Sequence, residues 1–255
     1  MTLRAILFDL DDTLIDWGAF AEAWERNETP HIKKVFDHIQ TIIDVAGGFE
    51  TYRREYFTRT RQAWMEARNN LVAPHLGRVL VDAAVAVGVP REHADMERFL
   101  SVYEWTRVEG TSPFPEAADV LSELRDAGLR LGIVTNAFQP MWLRDVEMAA
   151  HGLLEFFPRC RISAADVGYL KPHPAIFERA LNCIGTAPEQ TIFIGDNPTA
   201  DIAGAQSNGM RAVMRVTARR RPLISGLVVP DAAINSLVEL LPILDEWFPG
   251  WRAGE

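Results

Sequence analysis

Cysteine is scarce in this chain, which has two residues of this type, Cys160 and Cys183, among 255. Their separation matches neither a CxxC pair nor the usual spacing of metal ligands. Both are therefore expected to be small buried hydrophobic residues in a reducing, intracellular setting. The six histidines are also spread without ligand spacing. These gaps argue against a cysteine- or histidine-based metal centre.

Long apolar runs and an excess of positive charge are missing as well. The apolar run at residues 5–10 is too short for a signal peptide and contains Asp9. No stretch approaches the length needed to cross a bilayer. The net charge of -9 argues against a nucleic-acid polymer or an anionic membrane as the main partner. We therefore expect a soluble, cytoplasmic protein that binds neither.

The chain does contain short apolar runs that stop at polar residues. Such runs are typical of buried parallel strands whose carboxyl ends carry the chemistry. The predicted strands are residues 5–8, 129–134, 159–163, 191–194 and 211–216. Helical patterns separate them at residues 115–127, 174–184 and 201–207. This alternation predicts a parallel sheet covered on both faces, with a ligand site at the carboxyl ends of its strands.

Residues 17–112 have a different pattern, with helical periodicity and little sign of strands. The helical segments are residues 20–24, 52–65, 76–87 and 96–105, and the proline-rich residues 111–115 are expected to form a return linker. The sequence therefore predicts an α/β fold: a Rossmann-like parallel sheet core, residues 1–16 and 113–255, with an inserted all-helical domain, residues 17–112.

Two carboxylates follow the first predicted strand. Asp9 and Asp11 are two residues apart, so in an extended segment both side chains can face one site. They repel each other unless a cation or a proton lies between them, and magnesium prefers such oxygen ligands. One carboxylate can then attack phosphorus while the other acts as general acid and base. The competing interpretation is that Asp11, Asp12 and Thr13 form only a polar turn.

Three other strand ends carry groups suited to the same chemistry. Thr135 can donate its hydroxyl to a phosphate oxygen and Asn136 can add a contact, although both are also typical of a helix cap. Lys171, in a loop bracketed by prolines, would neutralise a phosphoryl group, although a loop lysine is usually solvated. Asp196 can complete a metal shell. Asp201 can support Lys171 or a metal-bound water, or can simply favour the start of a helix.

These segments resemble, in order, the four motifs of the haloacid dehalogenase superfamily of hydrolases. They stand here as Asp9-x-Asp11-x-Thr13, Thr135-Asn136, Lys171-Pro172 and Gly195-Asp196-x4-Asp201. The helical insert lies where the type-1 cap of this family lies. The resemblance implies a phosphoric monoester hydrolase that forms an aspartyl phosphate and uses Mg²⁺.

The resemblance also implies a role for each motif residue. Asp9 would be the nucleophile and Asp11 the general acid and base. Asp9, the main-chain carbonyl of Asp11 and Asp196 would hold Mg²⁺, while Thr135 and Lys171 would bind the phosphoryl group. The expected partner is a small phosphorylated metabolite, of the nucleotide or sugar phosphate class. The chain is expected to be a monomer or homodimer.

Other activities stay open at this point. A 2-haloacid dehalogenase uses the same nucleophile without metal, but typically lacks a carboxylate at the position of Asp11. A phosphomutase more often has glycine at the position of Asp12. A phosphonate-cleaving enzyme would need a Schiff-base lysine in the insert, where only Lys33 and Lys34 occur and solvation is expected. A non-catalytic binding module would be expected to have lost a motif residue. Asp11 and Asp196 favour phosphoryl transfer.

The residues that recognise the leaving group are harder to predict. The candidates are Trp17, the arginines Arg53, Arg54 and Arg61, and the cluster Arg219, Arg220 and Arg221. A solvated surface is the competing interpretation for each arginine. Trp247, Phe248 and Trp251 are expected to pack on the core or on a dimer partner, and His173 to serve its proline-rich loop.

Overall fold

The strands of the chain were located in a computed structural model that describes residues 2–18, 24–217 and 228–253. Within these residues one sheet contains β1 (Ala5–Phe8), β4 (Arg130–Thr135), β5 (Cys160–Ser163), β6 (Thr191–Gly195), β7 (Arg211–Arg215) and β8 (Ala232–Ile234). All six are parallel, in the order β5-β4-β1-β6-β7-β8. The predicted parallel sheet is confirmed.

The central strand β1 is apolar at every position because both faces of the sheet are covered. Its side chains alternate, so that Ile6 and Phe8 join one hydrophobic cluster while Ala5 and Leu7 join another. Helices α5 (Ala117–Asp126), α6 (Met141–Ala150) and α10 (Leu240–Trp247) contribute to the first cluster. Helices α7 (Ala164–Val167), α8 (Pro174–Ile184) and α9 (Gly204–Ser207) contribute to the second.

In the described part of the chain, four α-helices lie between two short strands, β2 (Ile15–Asp16) and β3 (Ser112–Pro113). They are α1 (Trp24–Ile39), α2 (Gly48–Asn70), α3 (Leu76–Ala86) and α4 (Met96–Tyr103), and they bury a hydrophobic cluster of their own. That cluster also takes in Phe138 and Leu143, which follow β4. The helical layer therefore packs directly on the sheet domain, and the proposed boundaries of a separate cap stay a prediction. None of the helices within the described ranges is long and apolar enough to cross a membrane.

Several local expectations are corrected. Residues 111–115 are not simply a linker, because β3 pairs antiparallel with β2. The helix expected at residues 201–207 begins earlier, as a π-helix over Pro198–Ala203 that continues into α9. The strand β8 and the helices α6 and α10 were not predicted. A three-residue edge strand has too little alternation to show in the sequence.

Other expectations concern single side chains. Cys160 is buried as predicted, whereas Cys183 is half-buried. Phe248 and Trp251 are buried in the first cluster of the sheet, with Trp247 packed against it, so core packing is confirmed for the aromatic tail. Residues 20–23 of the first helical pattern and the cluster Arg219, Arg220 and Arg221 lie outside the described residues.

Candidate active site

The site forms where the order of the strands reverses along the chain. Strand β1 pairs with β4 on one side and with β6 on the other, and the chain visits the first side before the second. The Asp9 amide extends the ladder by donating to the Ile194 carbonyl at 2.8 Å. Asp9, Thr135 and Gly195 therefore leave three adjacent strands at one edge, which is the usual ligand site of such sheets.

Lys171 is the centre of the polar contacts at this edge. Its Nζ lies 2.7 Å from Asp9 Oδ1, 2.7 Å from Asp201 Oδ1 and 2.7 Å from the Val134 carbonyl. The side chain is buried. Burial alone would lower the pKa of Lys171, but the facing carboxylates of Asp201 and Asp9 raise it above its ordinary value. The lysine is therefore a fixed positive charge, and the competing prediction of a solvated loop lysine is wrong.

Asp9 is buried beside other carboxylates. Burial raises the pKa of Asp9, the charges of Asp201 and Asp196 raise it further, and Lys171 opposes them. Its Oδ2 accepts a hydrogen bond from the Thr13 hydroxyl at 3.3 Å. An additional cation at this point would favour the ionised form that a nucleophile requires.

Three carboxylates converge closely enough to share a metal ion. Asp9, Asp196 and Asp201 each offer an oxygen, and these oxygens lie within 4.8 Å of one another. The prediction placed Asp9, the main-chain carbonyl of Asp11 and Asp196 around the metal ion, with Asp201 supporting them from behind. The structure brings all three carboxylates together, and it directs Asp201 Oδ2 to the Asn197 amide at 2.9 Å. The donor set consists of oxygens, which suits Mg²⁺.

The loop after β6 explains why Asp201 reaches the site. Asn197 Oδ1 accepts hydrogen bonds from the amides of Thr199 at 3.1 Å and Ala200 at 3.2 Å, which starts the π-helix. Gly195 leaves room for the returning carboxylate, because a Cβ at that position would lie 2.4 Å from Asp201 Cγ. The glycine is required here by close approach rather than by an unusual φ.

Asn136 fastens the lysine loop to the end of β4. Its Oδ1 accepts from the Lys171 amide at 2.7 Å and its Nδ2 donates to the Lys171 carbonyl at 3.1 Å. Asn136 was predicted to add a side-chain or backbone contact to substrate, and the structure directs its side-chain amide to the backbone of Lys171. The Thr135 hydroxyl lies 3.4 Å from Asp11 Oδ2, to which it donates.

Asp11 has a partner that was not predicted, Arg144 of α6. The two side chains form an ion pair, and Arg144 Nη1 also lies 3.1 Å from Glu147 Oε2. Trp105 Nε1 donates to the same Glu147 oxygen at 2.9 Å, which connects this network to the residues after α4. Burial raises the pKa of the Glu147 carboxyl group. Burial alone would lower the pKa of Arg144, but the facing carboxylates of Asp11 and Glu147 raise it above its ordinary value.

A cavity of about 640 Å³ opens from this edge of the sheet towards α1 and α2. Asp11 and Asn136 line this cavity. Trp17 and Arg61, two of the residues predicted to recognise the leaving group, line it as well. Arg61 is exposed and pairs with Glu25 at 2.8 Å. The structure does not place Arg53 or Arg54 among the lining residues.

The remaining candidates have local roles. Arg53 pairs with Glu50 at 2.9 Å. Lys33 and Lys34 are exposed and form surface ion pairs, as the prediction of solvated lysines requires. His173 caps α8 by accepting from the Ala175 amide at 3.2 Å.

Comparison with known proteins agrees with this geometry. The sequence model of the haloacid dehalogenase-like hydrolase family matches residues 3–209 of this chain. The chain belongs to this family. The predicted resemblance is therefore confirmed, and the family includes relatives with different named activities.

Three of these relatives show the range. The glyceraldehyde 3-phosphate phosphatase of Methanopyrus kandleri is 28% identical over 96% of this chain and 98% of its own. A solved 2-haloacid dehalogenase of Pseudomonas syringae superposes with a TM-score of 0.65 at 26% identity, over 96% of this chain and all of the other. The hydrolase YfnB of Bacillus subtilis, solved with magnesium bound, gives a TM-score of 0.57 at 25% identity, over 96% of this chain and 100% of the other.

Proposed function

We propose that the protein is a Mg²⁺-dependent phosphatase that hydrolyses a small phosphomonoester, of the nucleotide or sugar phosphate class, through an aspartyl phosphate on Asp9. The observation that carries this proposal is the position of Lys171, whose Nζ lies 2.7 Å from both Asp9 and Asp201. A buried carboxylate next to a fixed ammonium, with further carboxylates beside it, suits the transfer of a charged phosphoryl group. The phosphatase of Methanopyrus kandleri supports the same activity.

The covalent step would use the two carboxylates of the first motif. Asp9 would attack phosphorus through a carboxylate oxygen, and the bond from phosphorus to the leaving oxygen would break. Asp11, which lines the cavity, would supply the proton to that oxygen. Asp11 would then take a proton from the water that hydrolyses the aspartyl phosphate. Lys171 would bind the phosphoryl oxygens, and Thr135 would donate a hydroxyl to one of them.

The donor set fits a magnesium ion. Asp9 and Asp196 would hold it with the main-chain carbonyl of Asp11, and Asp201 would anchor Lys171 beside them. The fit follows from the convergence of three carboxylates within 4.8 Å around one lysine, which leaves an excess of negative charge. When bound, the ion would supply electrostatic stabilisation of the phosphoryl oxygens. The magnesium bound to YfnB supports this choice.

A phosphate-ester panel with and without Mg²⁺ tests the proposal. We expect release of inorganic phosphate that stops with EDTA and returns with Mg²⁺. Asp9→Asn should lower kcat by three orders of magnitude or more, roughly as for other covalent nucleophiles. Asp119→Asn, an exposed carboxylate in the first turn of α5, is the matched control and should retain full activity. Near-normal turnover by Asp9→Asn would contradict the mechanism.

Dehalogenation is the second candidate because the Pseudomonas syringae structure is a 2-haloacid dehalogenase. It requires the same nucleophile but no proton for the leaving halide. Halide release from a 2-haloacid in the presence of EDTA would support it against the phosphatase. We expect none, because Asp11 and the acidic cluster have no use in that reaction. The cytoplasmic location and the monomeric or homodimeric state stay predictions.

A further inference from the structure

The cavity beside the site has several aromatic side chains in its wall, four of them tryptophans. Trp24 and Trp64 both pack against Phe138, with ring centroids 6.4 Å and 6.2 Å away. Both tryptophans are half-buried. They line the cavity together with Trp17 and Trp105. Rings held by their neighbours in this way offer preformed surfaces for stacking.

The cavity is continuous with the proposed chemistry. Asp11, Asn136 and Arg144 belong to its wall, while Trp24 and Trp64 belong to the helices above. A phosphoryl group held at Lys171 would therefore direct its leaving group into the cavity that these tryptophans line. The occupant of the cavity is then the part of the substrate that departs with its oxygen.

The size of the cavity exceeds the need of a three-carbon leaving group. Its volume of about 640 Å³ is within the usual range for ligands of drug size. Met65 of α2 also lines the cavity and is 65% exposed, which is unusual for so large an apolar side chain. An apolar ring in the cavity would cover it.

The wall also offers polar groups to the edge of a ring. Asn27 lines the cavity, and its Nδ2 is buried without a hydrogen-bond acceptor among the described residues. The neighbouring Glu28 also lines it, and its Oε2 is fixed by the hydroxyls of Tyr56 and Tyr103. A donor and a carboxyl group near stacking surfaces are the means by which proteins recognise heteroaromatic rings.

We propose that the leaving group carries a planar heteroaromatic ring, which stacks between the tryptophans of this cavity and contacts Asn27 and Glu28 at its edge. The proposal deepens the phosphatase function and rests on it. A nucleobase, a flavin and a pyridine ring share this chemistry, so the experiment must distinguish between them.

The first test compares kcat/KM across purine and pyrimidine nucleoside monophosphates, flavin mononucleotide, pyridoxal 5′-phosphate, glycerol phosphate and glyceraldehyde 3-phosphate. We expect at least one heteroaromatic ester to exceed the two aliphatic esters about tenfold, as loss of a stacked base commonly changes binding by that factor. The preferred member identifies the ring. Equal or higher kcat/KM for the aliphatic esters would overturn the proposal while leaving the phosphatase function intact.

The second test changes the wall. Trp64→Ala should lower the ratio of kcat/KM for the best heteroaromatic ester to that for glycerol phosphate about tenfold, and Trp64→Phe should restore most of it. Asn27→Ala should lower the same ratio and keeps the test open if Trp64→Ala does not fold. Trp142→Ala, a 50% exposed tryptophan on α6, is the matched control and should leave the ratio unchanged. A ratio unaffected by both cavity variants overturns the proposal.

A binding measurement separates the two proposals from each other. Calorimetric titration of the Asp9→Asn variant with the same esters does not depend on turnover. Ring-selective binding that Trp64→Ala weakens, in a protein whose wild type hydrolyses nothing, would contradict the phosphatase function and keep the heteroaromatic site. Turnover of phosphate esters without ring-selective binding would do the reverse.

Discussion

At the scale of single residues, Arg144 is the least expected member of the site. It is 2% exposed and lies between the partly exposed Asp11 and the buried Glu147, whose carboxylate burial would otherwise leave without a charged partner. A buried ion pair contributes little net stability by itself, but the loss of one partner is costly. In the proposed mechanism Arg144 is thus a positioning residue, since it would act on the chemistry through the orientation of Asp11.

Arg144→Ala should therefore destabilise the protein by about 3–5 kcal/mol, measured as the free energy of unfolding in urea. Activity should fall as well, mainly in kcat, because Asp11 loses the contact that orients it. The double variant Arg144→Met/Glu147→Leu replaces the buried pair by apolar groups and should recover much of the stability without recovering kcat. Recovery of both would assign Arg144 a purely structural role.

The sequence could not show Arg144 because its partner is 133 residues away in the chain. Its spacing to Glu147 is that of an ordinary helical ion pair, and such pairs are usually exposed. The same reasoning applies to the pairing of the Asn136 side chain with the Lys171 backbone, 35 residues away in the chain. Contacts between residues that are distant in the sequence cannot be predicted from local sequence patterns.

At the scale of elements, the end of β6 and the π-helix after it operate together. Gly195 ends the strand, and Asp201 returns across it to Lys171. The strand itself could be predicted, since its apolar residues stop at a glycine and a carboxylate. The π-helix could not, because one extra residue in a helical turn leaves no periodic signal in so short a segment.

Gly195→Ala should displace Asp201, because the new Cβ would lie 2.4 Å from its carboxyl carbon. We expect kcat to fall by more than tenfold, as Lys171 loses one of its two carboxylate partners. Gly132→Ala, in β4, is the matched control. Its new Cβ would lie 2.7 Å from Leu7 of the neighbouring strand β1, away from Asp201. The control should lower stability but retain kcat per folded molecule. Similar kcat values for both variants would contradict the role of Gly195.

At the scale of the whole molecule, one buried carboxyl group connects three helices of the insert. Glu28 of α1 accepts hydrogen bonds from Tyr56 of α2 at 2.8 Å and from Tyr103 of α4. Burial is the main cause that raises the pKa of Glu28 to about 7, against the opposite effect of the two tyrosine hydroxyls. The folded protein therefore holds a proton on Glu28 that the unfolded chain releases near its ordinary value of 4.5.

Stability should consequently fall as the pH rises. The contribution of Glu28 is fully present below pH 4.5 and is lost as the pH passes through about 7. The difference amounts to about 3 kcal/mol between these limits. Urea denaturation at pH 5 and pH 8 measures it. Glu28→Gln keeps an acceptor for both tyrosines and should remove most of this pH dependence, whereas an equal dependence in the variant would exclude Glu28 as its source.

Prediction from sequence was most successful at this largest scale. The parallel sheet, the helical layer between β2 and β3, and the edge that gathers Asp9, Lys171, Asp196 and Asp201 all follow from apolar runs that end in polar residues. The roles of these residues remain proposals. The cavity could not be predicted, because its tryptophans are dispersed from residue 17 to residue 105 and meet only in the folded chain.

The central position of β1 in the sheet has a consequence for the order in which parts of the protein unfold. A strand hydrogen-bonded on both sides exposes its amides to deuterium only when the domain unfolds as a whole. The helices that carry Trp24 and Trp64 lie outside this ladder. They are joined to the sheet domain by packing and by a few backbone hydrogen bonds, such as that from the Leu76 amide to the Phe138 carbonyl at 2.8 Å, and they can open at lower free energy. On heating, the proposed selectivity among substrates should therefore be lost before the strand that leads to Asp9, the proposed nucleophile, unfolds.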